Sequence, residues 1–231
     1  MLNIFKHVEQ IALRPSIHPE EEPVRQYIIE QLTAMKKDYT LDAMGNIHLI
    51  ANQRSRYLVS AHMDKQAPPY YEDLGDFIKG KLDDAVGCGI ILSLSEHYDL
   101  NAIITVGEET ASIGAMFAIK RDLIPEVEGI IIIDTSPNMN MGDGLIFYTS
   151  FNGITPDPSF VEKIHLTAQK LNIRLQPMPG AINDGSVFAN KYKNTIAIEP
   201  HIDNFHTAEE IASKRDIIDT YRLIETLLKQ D

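Results

Sequence analysis

A histidine and an aspartate come directly after a short apolar run in the first third of the chain. Residues Tyr57 to Ala61 are predicted to form a buried strand, which is followed by His62 and, two residues later, by Asp64. In open α/β sheets, ligands bind beyond the carboxyl ends of the strands. A metal-ligating imidazole usually donates its other N–H group to a carboxylate. The pattern therefore indicates a metal ligand, His62, and a residue that orients it, Asp64.

Other acids and a second histidine share this kind of position, at the end of a predicted strand or the start of a predicted helix. They are Asp83 and Asp84 at a helix start, Glu108 and Glu109 after the strand that includes Val106, Asp134 after the strand that includes Ile133, and His206 before the capping-box pattern Thr207–Glu210. Strand ends on one side of a doubly wound sheet lie close together. We therefore expect these side chains to converge.

Five of the converging residues are oxygen and imidazole ligands of the kind that zinc, cobalt or manganese prefers: His62, Asp83, Glu109, Asp134 and His206. Five ligands are too many for one tetrahedral zinc ion, but they suit two ions that share a carboxylate. Asp83 is the expected bridge, because it lies between the other ligands in the chain and at a helix start. Glu108 is then left beside the ions, where a hydrolase needs a general base.

Each acid also has an ordinary structural explanation. Glu108 and Glu109 could stabilise the N-terminus of the helix that follows them. Asp83 could be a plain helix cap, and Asp134 could cap a turn. These explanations require that acids and histidines collect at element ends by coincidence, which favours the metal-site hypothesis.

The two histidines leave alternatives open as well. His206 could pack against the helix that it precedes, and His201 could replace it as the second imidazole ligand. The position of His206 directly before the capping-box pattern favours His206.

Alternating strands and helices predict one α/β domain over residues 1–231, with three layers and a largely parallel, doubly wound sheet that could be mixed. The predicted helices cover 2–13, a segment after Pro19, 84–98, 112–121, 158–171, a short stretch near 186–190 and the C-terminal segment after the capping-box pattern. The predicted strands cover 47–51, 57–61, 102–107, 129–134, 173–176 and 195–198, with 145–151 as an edge strand and 65–80 as a loop.

Composition limits the function classes. The chain has 231 residues and a formal charge of −12, which makes nucleic acid an unfavourable partner. The single cysteine, Cys88, excludes an intrachain disulfide and a zinc ribbon. The N-terminus lacks the apolar core of a signal peptide, and no apolar run is long enough to span a membrane. We therefore expect a cytoplasmic protein without a membrane partner.

The order and spacing of the motifs resemble those of the co-catalytic zinc exopeptidase superfamily. The motifs are His62-x-Asp64, Asp83-Asp84, Glu108-Glu109, Asp134 and His206-Thr-Ala-Glu, and the resemblance extends from about Ser16 through Asp42-x-x-Gly45-Asn46 to the final helix. This superfamily includes leucyl-type aminopeptidases, tetrahedral self-compartmentalising aminopeptidases, and a carboxypeptidase and deacylase branch.

The resemblance implies a role for each motif. One metal ion would lie on His62, Asp83 and Asp134, and a second on Asp83, Glu109 and His206. Asp64 would orient His62, Glu108 would be the general base, and Asp84 would follow the bridge across a cis peptide bond. Residues 183–186, Asn-Asp-Gly-Ser, are similar to a family loop near the substrate, although a plain turn explains them equally well.

The chain departs from the superfamily pattern in its spacing. Many relatives insert a domain between the first histidine and the aspartate pair or between the later acid and the last histidine. Here Asp83 is only 21 positions after His62, and the segment from Asp134 to His206, which is 72 positions further on, is filled by predicted secondary structure. We therefore expect a minimal form without an inserted lid or dimerisation domain, which leaves the oligomeric state unpredicted.

The resemblance implies an aminopeptidase that cleaves short peptides with the help of two divalent ions, expected to be zinc, with cobalt or manganese as alternatives. A deacylase, carboxypeptidase or dipeptidase of the same superfamily is the second hypothesis. A non-catalytic relative that keeps the fold for binding is the third, and the presence of Glu108 beside the ligand set counts against it.

Overall fold

A sheet with apolar strands at its centre and helices on both faces organises the chain. The structure, a computed structural model, describes residues 3–51 and 55–229. The helices are α1 (Ile4–Ala12), α2 (Glu22–Ala34), α3 (Ala85–Ser95), α4 (Ile113–Lys120), α5 (Pro158–Lys170), α6 (Gly185–Phe188) and α7 (Lys214–Leu228). The strands are β1 (Thr40–Leu41), β2 (Ile47–Leu49), β3 (Tyr57–His62), β4 (Tyr71–Asp73), β5 (Phe77–Gly80), β6 (Asn101–Thr105), β7 (Gly129–Ile133), β8 (Leu145–Tyr148), β9 (Leu175–Met178), β10 (Thr195–Glu199), β11 (Ile202–Asp203) and β12 (Glu210–Ser213).

The large sheet has the strand order β1-β2-β6-β3-β7-β10-β8-β9. Its centre, β6-β3-β7-β10, is parallel, whereas β2 and β8 run antiparallel to their central neighbours. The predicted mixed, largely parallel α/β sheet is therefore confirmed. The first predicted residue of the first helix, Leu2, lies outside the described residues.

The side chains of the central strands alternate between two hydrophobic cores, one on each face of the large sheet. Ile131 and Ile133 of β7 pack in the core under α1, α3, α5 and α7, while Ile130 and Ile132 pack in a second core against α4 and α6. Successive strand side chains point to opposite faces, so an unbroken isoleucine run fits a strand covered on both sides. Within the first core, α1 approaches α3 closely at Gly89, where a Cβ atom would lie 2.7 Å from Val8 Cγ2.

Three expectations about local structure were wrong. Residues 65–80 contain the hairpin β4–β5, which a second, antiparallel sheet of order β11-β12-β5-β4 incorporates. Strand β8 is not at the edge, because it pairs with both β10 and β9. Thr207–Glu210 does not cap a helix: Glu210 begins β12, and α7 starts after Ser213, whose hydroxyl accepts a hydrogen bond from Asp216 N.

No helix in the described part of the chain combines the length and apolar character that crossing a bilayer requires.

A buried lysine fastens the end of β3 to the connection between α1 and α2. Lys65 is 2% exposed, and its Nζ donates hydrogen bonds to Ile11 O at 2.8 Å and Ser16 Oγ at 3.1 Å. Burial lowers the pKa of Lys65 to about 7. Because an amine in contact with water keeps its proton up to about pH 10.4, the folded state releases this proton at a lower pH than the unfolded state.

The buried lysine predicts a stability that rises with pH. Between pH 7 and about pH 10 the unfolded chain binds more protons at Lys65, so this group raises the free energy of unfolding by at most about 1.4 kcal/mol per pH unit. We expect the free energy of unfolding of the wild type minus that of Lys65→Met, from urea titrations, to increase from about pH 7.5 to about pH 9.5. A difference that stays constant would contradict this. Lys193→Met, at a residue whose side chain is 61% exposed, should show no such trend.

Candidate metal centre

Three polar side chains form one row across the parallel strands of the large sheet. Ser60 of β3 is paired with Ile132 of β7, and Ile133 of β7 is paired with Ile198 of β10. Continuing this register places His62, Asp134 and Glu199 side by side on one face, about 4.8 Å apart from strand to strand. The register therefore brings together two of the predicted site residues, His62 and Asp134, and adds Glu199, which was not predicted.

Asp83 lies between the two imidazoles. His62 Nε2 is 3.2 Å from Asp83 Oδ1 and 3.4 Å from Asp134 Oδ1. His206 Nε2 is 3.4 Å from Asp83 Oδ2 and 3.4 Å from Glu109 Oε2. Each oxygen of Asp83 thus faces a different histidine and a different second carboxylate.

These distances fit divalent cations. Two ligand atoms on one tetrahedral zinc ion, each about 2.0–2.1 Å from it, are about 3.3 Å apart. The structure contains two groups of candidate ligands, His62–Asp83–Asp134 and Asp83–Glu109–His206, with ligand atoms within 4.8 Å of one another in each group. Asp83 Oδ1 and Glu109 Oε1 are also buried without a hydrogen-bond donor among the described residues, which is costly unless a cation approaches them. The residues present therefore fit two cations.

Asp64 holds the surroundings of His62. Its Oδ1 atom is 3.4 Å from His62 Nδ1. The same carboxylate accepts hydrogen bonds from Glu108 N and Glu109 N, each at 3.0 Å. One buried acid thus fixes both the imidazole and the backbone that presents the two glutamates.

Asp84 joins the start of α3 to the end of β3. The Asp83–Asp84 peptide bond is cis. Asp84 accepts hydrogen bonds from Gly87 N at 2.7 Å and from His62 N at 3.3 Å. A Cβ atom on Gly87 would lie 2.2 Å from Asp84 Oδ2, so this position requires glycine. The thiol of Cys88, one residue further on, is buried and donates to His62 O at 3.1 Å.

A second buried acid positions the backbone of two candidate ligands. Glu210 Oε2 accepts from Leu82 N at 2.7 Å and Asp83 N at 3.0 Å, while Oε1 accepts from His206 N at 2.9 Å and Lys81 Nζ at 2.8 Å. The side chains of Glu210 and Lys81 are both 0% exposed. The bond to His206 N supports this residue in a left-handed conformation with φ of 61°, which a non-glycine residue adopts only at a cost.

The alternative ligand His201 and the segment 183–186 are the remaining candidates from the sequence. His201 is buried and pairs with Asp203 at 2.9 Å, so His206 rather than His201 reaches Asp83 and Glu109. Asn183 and Asp184 lie beside the site: Asn183 Nδ2 donates to Glu199 Oε1 at 2.8 Å, and Thr105 Oγ1 donates to Asp184 Oδ2 at 2.5 Å.

Two residues of the site, Glu199 and Glu210, were not predicted from the sequence as part of it. Glu199 follows an apolar strand just as Asp134 does, so the same signal was available. Glu210 was assigned to a capping box, and its buried partner Lys81 is 129 residues away in the chain.

A cavity of about 560 Å³ opens over the two ligand groups. The acids that line it are Asp83, Glu108, Glu109, Asp134 and Glu199, and none of the described lining residues is lysine or arginine. Burial, together with the negative charges of Asp134, Asp184 and Asp83, raises the pKa of Glu108 to about 10, and burial with the charge of Asp83 raises the pKa of Glu109 to about 7. Burial opposes the protonation of His62, but its hydrogen bonds to Asp134, Asp64 and Asp83 raise its pKa well above the ordinary value. Bound cations invert this balance, because they favour ionised carboxylates.

Comparisons with known proteins give a family and a curated relative. The family model described as M42 glutamyl aminopeptidase matches residues 68–223. The alkaline phosphatase isozyme conversion protein of Escherichia coli is 29% identical over 119 residues, 46% of this chain, so the match spans about a third (33%) of that curated relative.

Solved structures show the same fold at low identity. The TET1 peptidase of Pyrococcus horikoshii, which assembles into a tetrahedron or a large octahedral shell, is similar with a TM-score of 0.82, 18% identity and coverage of 97% of this chain and 99% of that one. The TET aminopeptidase of a marine sediment thaumarchaeon has a TM-score of 0.85, 14% identity and coverage of 99% and 97%. Aminopeptidase PepT of Bacillus cereus has a TM-score of 0.78, 13% identity and coverage of 99% and 98%. The predicted zinc-exopeptidase-like fold is confirmed.

The buried contact between Lys81 and Glu210 predicts a large loss of stability from a small change. Glu210→Gln leaves the Lys81 ammonium without a counter-charge at a site with no exposure, and breaking such a pair costs about 3–5 kcal/mol. We expect a fall of this size in the free energy of unfolding, measured by urea denaturation. Glu209→Gln, at a neighbouring side chain that is 66% exposed and paired with Lys79, should change it by less than about 0.5 kcal/mol. Equal effects of the two substitutions would refute the role given to Glu210.

Proposed function

Because this chain belongs to the M42 glutamyl aminopeptidase family, we propose that it is a metal-dependent aminopeptidase that removes N-terminal residues from short peptides. The single observation that carries the proposal is the position of Asp83, with one oxygen near His62 and Asp134 and the other near His206. The family match favours this activity over a carboxypeptidase or deacylase and over a non-catalytic binding protein.

The two ligand groups would hold two divalent ions, and we propose zinc, with cobalt or manganese as alternatives. The first would lie on His62, Asp83 and Asp134, and the second on Asp83, Glu109 and His206. When bound, such a pair of ions polarises the scissile carbonyl group and acidifies a water molecule. The nitrogen and oxygen donors and the absence of a thiolate from both groups suit these metals.

Glu108 is the proposed general base. Its Oε2 atom is 4.0 Å from His62 Nε2, and it belongs to neither ligand group. Glu108 would take the proton of the attacking water at a carboxylate oxygen and transfer it to the nitrogen of the leaving amine. Asp64 would keep the Glu108 backbone and the His62 ring in place through the contacts described above.

Metal titration tests the shared ligand. Protein stripped with a chelator and titrated with zinc in a calorimeter should bind two ions per chain. Asp83→Asn should weaken both sites, because Asp83 belongs to both groups, whereas His206→Ala should weaken only one. The control His97→Ala changes a histidine that is 54% exposed and outside both groups, and it should keep both ions. A single ion in the wild type, or two tight ions in Asp83→Asn, would reject the shared arrangement.

Hydrolysis tests the role of Glu108. We expect Glu108→Gln to retain both ions and to lower kcat/KM for aminoacyl p-nitroanilides by about 10²- to 10⁴-fold, the usual contribution of a general base. Glu109→Gln should instead lose metal affinity, which separates the base from the ligand.

N-acetylated versions of the same anilides should not be cleaved. Their cleavage in preference to the free-amine compounds would indicate a deacylase. A zinc-, cobalt- or manganese-loaded wild type that hydrolyses none of these compounds would favour the non-catalytic alternative.

A further inference from the structure

We propose that Glu199 is a specificity-determining residue, which makes this chain select substrates whose N-terminal residue has a cationic side chain, lysine or arginine. This inference rests on the proposed function, because it assigns the side-chain subsite of the same cavity.

Glu199 lies at one end of the cavity, beyond the residues proposed as metal ligands. Along the row of strand ends, Glu108 and Glu109 follow β6, His62 ends β3, Asp134 follows β7, and Glu199 ends β10. Glu199 is therefore one strand beyond Asp134, on the side away from the two glutamates. It is 3% exposed, lines the cavity and belongs to neither ligand group.

Glu199 has no cationic partner among the described lining residues of the cavity. Five acidic side chains line the cavity, and four of them, Asp83, Glu108, Glu109 and Asp134, belong to the proposed ligand groups or lie beside them. None of the described lining residues is lysine or arginine. Asn183 Nδ2, a neutral donor, is the hydrogen-bond partner of Glu199 Oε1. Glu199 is therefore the acid in this cavity that a cationic group of a substrate could approach without displacing a proposed metal ligand.

Ser136, Asn138 and Tyr148 form the wall of the cavity beside Glu199, and their side chains are neutral and polar. Tyr148 of β8 is paired with Ala197, two residues before Glu199 on β10. Asn138 Nδ2 donates hydrogen bonds to Ser136 Oγ at 2.9 Å and to Tyr148 OH, and those two oxygens are 3.1 Å apart. The amide hydrogens of Asn138 and one of the two hydroxyl hydrogens are thus used among these three side chains, which leaves the Oδ1 atom of Asn138 and the hydroxyl oxygens as acceptors, with one hydroxyl hydrogen as a donor. An ammonium or guanidinium group has several N–H donors that fit such acceptors and a carboxylate.

A glutamyl side chain fits this subsite poorly. Its carboxylate would meet Glu199 and find no cationic side chain among the described lining residues. Like charges brought together in a desolvated pocket exclude the wrong ligand. The preference of this chain should therefore differ from the glutamyl preference in the description of its family.

A kinetic comparison of three substrates tests the subsite. With the zinc-loaded protein, we expect kcat/KM for lysyl p-nitroanilide to exceed that for leucyl p-nitroanilide, and the value for glutamyl p-nitroanilide to be lowest. Glu199→Gln retains the shape and the oxygen that Asn183 contacts, but it removes the charge. It should lower the lysyl-to-leucyl ratio by about 10- to 100-fold, the factor that corresponds to one charge-assisted hydrogen bond. Glu126→Gln, the same change at an exposed residue before the opposite end of β7, should leave the ratio unchanged.

An equilibrium measurement separates this inference from the proposed activity. Calorimetry on the zinc-loaded protein compares lysinamide with the α-amide of glutamic acid, which share the free amine and the amide and differ in side-chain charge. Tighter binding of lysinamide that Glu199→Gln abolishes supports the subsite even if no anilide is hydrolysed. Tighter binding of the glutamyl amide overturns it. An equal loss for lysyl, leucyl and glutamyl compounds in Glu199→Gln also overturns it, because Glu199 would then contact the common amine.

Discussion

The carboxylate of Glu210 is the contact on which the geometry of the candidate site depends. A buried charge is tolerated only when its hydrogen-bonding capacity is filled, and here Lys81 Nζ and three backbone N–H groups fill it. Two of those N–H groups belong to Asp83 and His206, which are far apart in the chain. The small antiparallel sheet brings Glu210 to this place by pairing β12 with β5. That sheet is therefore part of the site, although none of its strands contributes a candidate ligand.

The large sheet provides the other half of the arrangement. Parallel strands in register place His62, Asp134 and Glu199 in one row, and the two covered faces exclude water from its base. Because the clustered carboxylates are buried, their ionised forms repel one another, and without a metal ion only the binding of protons can relieve this repulsion. The same crowding favours the binding of divalent cations, which neutralise several carboxylates at once. The fold that brings the carboxylates together is therefore also the physical origin of the proposed metal dependence of this aminopeptidase family member.

The sequence predicted the parts of the molecule that depend on local pattern. The apolar runs predicted at 57–61, 102–107 and 129–134 correspond to strands β3, β6 and β7, and His62, Glu109 and Asp134 at their ends lie around Asp83. The errors concern long-range contacts. Thr207–Glu210 has the local pattern of a capping box, but Glu210 has a buried partner 129 residues away, and pairing with β5 makes its segment a strand. The hairpin in 65–80 is likewise held by β12, which sequence periodicity does not reveal. Glu199 could have been found with the rule that identified Asp134.

The thiol of Cys88, which donates to the carbonyl group of His62, has a consequence for chemical durability. Burial raises the pKa of this thiol, and the thiolate is the form that reacts with oxidants and alkylating agents. Cys88 is the single cysteine of the chain, and its burial beside the ligands keeps reagents in solution away from its sulfur atom. The sulfur atoms of the eight methionines are then the remaining sites of sulfur oxidation. The hydrogen bond between Cys88 and His62 is accordingly protected from thiol-directed reagents as long as the protein stays folded.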